Sequence, residues 1–271
     1  MKRAPMIVPK NQGWKTVFDV TVACVWVFVS VVAAQLIIGK MMLAVLGAEN
    51  LSQPVWTAIY SAVVYVVAMV LIILAPIALK RRDENAGKKK ALKEAKEKPA
   101  GQELREKLGL ADLPTWTDIG LAPIGFIVSL ILAAVLVTLF TVFPWFDAGQ
   151  AQELGFSTYL SGGDRIIAFI TLVVIAPIAE EIIFRGWLYG KLREKLNGTL
   201  PGYAGKVISI LLTSALFGLI HFQWNVGVNV FCLSVVLCVM REITGTIYAG
   251  ILTHMIKNGV AFYLLYVLGM A

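Results

Sequence analysis

Three short patterns hold the side chains able to do chemistry. Glu180, Glu181 and Arg185 lie in "PIAEEIIFRGW", Phe217 and His221 in "FGLIHFQWN", and His254 and Asn258 in "GILTHMIKNGV". Within each pattern two groups stand four residues apart, the spacing that puts them on one helix face. Glu181 precedes Arg185 by four, the favourable order for a helical ion pair. Glu180 is turned about 100° away from Glu181 around the helix. One carboxylate therefore reads as structural and the other as free for work. A glutamate, two histidines and an asparagine suffice for attack of water on an amide. A carboxylate taken out of water is a stronger general base. Imidazole can hold the water, and imidazole and carboxamide N–H groups can face the oxyanion that develops.

Other chemistries lack their signatures. Ser209, Ser214 and Ser234 have no catalytic context, and HExxH, the zincin pattern, does not occur. Glu180, His221 and His254 would also serve as three zinc ligands with an open fourth position, a metal-dependent alternative to a reaction without cofactor. A third alternative is not an enzyme: buried ionisable groups also mark transport pathways or a membrane immunity protein. The absence of a repeat argues against an inverted-repeat transporter.

These residues must be positioned by membrane helices. Of the 271 residues 58% are hydrophobic and 15% charged, and the apolar residues come in long blocks. The expected fold is all-α, a polytopic transmembrane bundle of about seven to eight spans. Seven are read at about 17–38, 55–79, 119–143, 166–189, 207–222, 226–240 and 246–268. Both histidines then fall inside spans. Residues 1–79 form a basic tail and two spans, 80–118 a basic loop, and 119–271 the bundle with nearly all the buried polar groups. The loop is expected to be solvated, with short helical pieces supported by Glu/Lys pairs and broken at Pro99–Gly101.

A net charge of +7 does not point to nucleic acid, because the charge is placed asymmetrically. Eleven basic residues lie between Lys80 and Lys107, and four (Lys2, Arg3, Lys10, Lys15) precede the first span. Lys191, Arg193, Lys195, Lys206 and Arg241 flank later spans on the same side. This is the positive-inside bias, so the N-terminus and basic loop are expected in the cytoplasm, with membrane lipid as the surrounding partner. The first run is too long for a signal-peptide core and is expected to stay as a span. Cys24, Cys232 and Cys238 all fall inside spans and read as packing residues.

"EEIIFR", "FGLIH" and "HMIKN" resemble the EExxxR, FxxxH and HxxxN motifs of the CPBP family, the Rce1-like or Abi type II CAAX prenyl endopeptidases. All three occur in order on separate expected helices, and the resemblance covers about residues 166–268. It implies a glutamate-dependent intramembrane endopeptidase. By the resemblance Glu180 is the general base and His221 holds the same water. His254 and Asn258 line the oxyanion site, Glu181 and Arg185 support them, and Phe217 packs beneath. The implied substrate is a peptide or protein, either a prenylated C-terminus or a bacteriocin-related precursor. The expected spans place His221 near the outer end of its helix and Glu180 nearer mid-bilayer, a mismatch that is removed if the fourth span runs on through "KLREKL" or the fifth begins deeper. Lys257, beside Asn258, snorkels, pairs with an acid or binds a substrate carboxylate.

Overall fold

The computed structural model describes residues 10–51, 53–78, 100–149, 156 and 160–269, and all its regular elements are helical. The basic tail's first residues and residues 80–99 of the basic loop, on which several expectations rest, lie outside the described residues. Eight helices follow one another: α1 (Lys10–Leu51), α2 (Pro54–Ala78), α3 (Ala100–Leu108), α4 (Trp116–Phe140), α5 (Gly162–Asn197), α6 (Ala204–Leu219), α7 (Trp224–Thr244) and α8 (Tyr248–Phe262). α8 continues as a π-helical turn, Tyr263–Val267. By length and composition five of these, α1, α2, α4, α5 and α7, can cross a membrane; α6 is shorter but apolar.

Three boundaries differ from expectation. The fourth helix does not end at Tyr189 but runs on to Asn197 through the polar "KLREKLN". The fifth ends at Leu219, so His221 is not inside a helix; it occupies the turn into α7. The loop helix α3 starts at Ala100, where a break was expected, and carries a Glu103–Lys107 pair at 2.6 Å.

Outward residues such as Ile124, Ile127 and Ile131 on α4 are exposed, while Ala122, Gly125, Ser129 and Ala133 are buried. That small-residue face lets α4 pack closely on α7 and α8. Thr253 of α8 donates to Ala122 O at 3.2 Å across the contact. A capping box between Thr115 and Asp118 starts α4. Asp118 also accepts from Thr246 at 3.1 Å, which ties this end to the α7–α8 turn.

One end of the bundle is held by charge. Lys195 pairs with Asp19 at 2.8 Å. Glu242 pairs with Lys206 at 2.8 Å and with Arg193, and accepts from Tyr189 at 2.8 Å. Glu242 thereby brings the end of α5, the start of α6 and the end of α7 to one level. Glu180 lies thirteen residues before Arg193, and His221 fifteen after Lys206. At 1.5 Å per residue both are about 20 Å from that level. The extension of α5 to Asn197 thus removes the mismatch in depth that the expected spans implied.

Candidate active site

α5 carries the two glutamates in a short α-helical piece, Ala176–Glu181, between two π-helical segments, Ile170–Ile175 and Ile182–Leu188. The Ala176 N–H bonds Thr171 O, five residues back. In that register the next donor, to Leu172 O, would come from residue 177. Residue 177 is proline and has no N–H. The Leu172 carbonyl is satisfied instead from α8, by Asn258 Nδ2 at 2.8 Å.

Glu181 and Arg185 form the expected pair. Arg185 Nη1 donates to Glu181 Oε1 at 2.8 Å, and both side chains are 0% exposed. The guanidinium also lies 4.4 Å over the Phe217 ring. Glu181 Oε1 is 3.2 Å from His254 Nδ1, which donates to it. Glu181 fits because residue 250, one turn before His254, is glycine. A Cβ there would stand 2.9 Å from Glu181 Oε2.

Glu180 is only partly buried, and its two oxygens have different surroundings. Oε1 accepts a 2.6 Å hydrogen bond from the Tyr65 hydroxyl of α2. Oε2 is 3.7 Å from His254 Nε2, too long for a direct hydrogen bond. His254 therefore stands between the two carboxylates. With Nδ1–H given to Glu181, Nε2 carries a proton only in the doubly protonated form of the ring.

His221 is held from its own helix end. Its Nδ1 is 2.8 Å from Phe217 O, an acceptor only, so Nδ1 carries the proton. The neutral ring then keeps Nε2 as an acceptor. The next residue, Phe222, has φ +53°, an uncommon backbone for an aromatic residue and a mark of a constrained turn. Beneath the cluster Phe217 is fully buried. It meets His221 at 5.2 Å and His254 at 6.0 Å between centroids, both nearly perpendicular.

The structure thus brings together Glu180, Glu181, Arg185, Phe217, His221 and His254. Asn258 lies one turn further along α8, with its amide engaged by Leu172 O rather than by the cluster; the second amide N–H is not used in that bond. Among the described residues, no three His, Cys, Asp or Glu side chains are gathered as a metal site requires. Tyr65 was not singled out from sequence, since a lone tyrosine in an apolar run carries no signal of a partner 115 residues away. Gly250 was also missed, although its place four residues before His254 marks the same face. Pro177 was legible as a missing donor, but an ordinary α-helical register would free Val173 O rather than the Leu172 O that the π-helical register leaves.

Residues 162–260 match the family of type II CAAX prenyl endopeptidases, Rce1-like. The matched segment contains every residue of the three patterns and none of α1 to α4. A CAAX-type intramembrane peptidase activity is what that family implies. No curated protein and no solved structure matches the chain.

Proposed function

We propose, taking the Rce1-like family of residues 162–260 as the premise, that this chain is an intramembrane endopeptidase. In this reading it hydrolyses a peptide bond near a prenylated CAAX-type C-terminus by carboxylate-activated water, without a metal. The observation that carries the reading is the arrangement of Glu180: a buried-side carboxylate with Oε1 occupied by Tyr65 and Oε2 open toward His254.

Water is held between Glu180 Oε2 and His221 Nε2. Its O–H bond breaks as the proton passes to Oε2, and its oxygen bonds the scissile carbonyl carbon. The carbonyl electron pair moves onto oxygen, where His254 Nε2–H and the second Asn258 N–H donate to it. As the tetrahedral intermediate collapses, the C–N bond breaks and Oε2 returns the proton to the leaving nitrogen. Glu181, itself held by Arg185, keeps His254 oriented. Phe217 sets the spacing of the two imidazoles. The charged end, with Lys195, Lys206 and Arg193, faces the cytoplasm in this reading.

The test is cleavage of a prenylated CAAX peptide by the purified protein in detergent with EDTA present. Wild type is expected to cleave, and Glu180→Gln and His221→Ala to lose activity while unfolding at the wild-type temperature. The glutamine keeps an oxygen for Tyr65. Full activity in Glu180→Gln removes the proposed base. Loss of wild-type activity to EDTA, with recovery on zinc addition, replaces the metal-free scheme. An unprenylated peptide of the same sequence separates CAAX-type from bacteriocin-type substrates.

A further inference from the structure

The catalytic cluster is completed from outside the segment that the family covers. Tyr65 sits on α2, a helix that packs against the parts of α5 around the glutamates. Its hydroxyl has one proton, and that proton is given to Glu180 Oε1 at 2.6 Å, the length of a charge-assisted O–H···O bond. The bond makes the carboxylate asymmetric. Oε1 is tied to a helix that has no other polar role in the cluster, and Oε2 is the oxygen that faces His254. It also fixes the last torsion of a glutamate side chain, a broad and soft rotation when unrestrained.

The geometry points to Tyr65 as a positioning residue for Glu180, which makes Oε2 the oxygen that exchanges protons with water and with the leaving amine. The inference rests on the peptidase reading above. In that reading, freeing Oε1 lets the carboxylate rotate away from the water, so kcat falls while substrate affinity is unaffected. A tyrosine serving only as a strut between α2 and α5 would affect stability and leave kcat alone.

The test compares Tyr65→Phe, Tyr60→Phe, Glu180→Gln and wild type on one prenylated peptide. Tyr60, further toward the start of α2, makes a like bond to Gln35 O at 3.2 Å, away from the site. Tyr65→Phe is expected to lose about 10- to 100-fold in kcat, the scale of one charge-assisted hydrogen bond, with KM unchanged. Tyr60→Phe keeps wild-type kcat. Wild-type kcat in Tyr65→Phe, with Glu180→Gln inactive, overturns the inference and leaves the peptidase reading standing. An active Glu180→Gln instead removes the reading and the inference together. Should Tyr65→Phe not fold, Tyr65→p-aminophenylalanine keeps the ring but replaces the hydroxyl with a weaker donor to Oε1. Positioning through Oε1 then lowers kcat several-fold at unchanged KM, because the carboxylate is held less firmly. An unchanged kcat in that variant overturns the inference.

Discussion

Arg185→Met asks how much of the structure depends on one buried countercharge. The guanidinium is wholly buried, 2.8 Å from an equally buried carboxylate and 4.4 Å over an aromatic face. Removing it leaves Glu181 charged, with only the His254 Nδ1–H at 3.2 Å as a strong donor. Breaking a buried pair from one side costs about 3–5 kcal/mol. The lost cation–π contact adds about 2 kcal/mol, of which a methionine on the same ring restores about 1 kcal/mol. The expected destabilisation is about 4–6 kcal/mol, a large part of the stability of an ordinary domain. The companion Glu181→Gln/Arg185→Met removes both charges and is expected to recover to within about 2 kcal/mol of wild type, since neutral replacement of a whole buried pair is nearly neutral. Peptidase activity does not recover with it, because His254 loses its charged acceptor. Unfolding is followed by tryptophan fluorescence during denaturant titration in detergent, for both single variants and the double. A coupling energy below about 0.5 kcal/mol, the level of independent sites, refutes the reasoning.

Gly250→Ala places a methyl 2.9 Å from Glu181 Oε2, with the Leu237 side chain also nearby, so it is expected to cost about 1–3 kcal/mol by overpacking and to lower peptidase activity. A thermal melt and activity equal to wild type count against the close α5–α8 contact. Asn258→Ala leaves Leu172 O without its donor and is expected to cost about 1–3 kcal/mol in stability. If its second N–H also faces the oxyanion, kcat falls by about 10²–10³. A stability loss with wild-type kcat assigns Asn258 to bracing alone.

The fold was legible because apolar blocks long enough for a bilayer announce themselves without knowledge of their partners. All seven expected spans have a helix in the structure. Helix ends were harder, since polar residues do not stop a helix that continues beyond the membrane, as α5 does through "KLREKLN". The spacing of Phe217 and His221 reads as helical, yet four residues apart is also the reach of a side chain back to a carbonyl at a helix end. Periodicity cannot separate the two. The Glu181–Arg185 pair was readable because both members belong to one helix. The bonds from Tyr65 to Glu180 and from Asn258 to Leu172 were not, because each joins residues far apart in the chain. The second also depends on a change of helical register that no local propensity reports.

The close spacing of Glu181 and Arg185 along one helix bears on how α5 enters the bilayer during synthesis. Two separate ions passing from the translocon into lipid would each face a penalty of about 2.5–3.5 kcal/mol. Partners a single turn apart are joined as soon as the helix coils, before any later segment exists. The helix therefore brings its own neutralising ion into the membrane, and what it leaves for α8 to supply is chemistry rather than insertion.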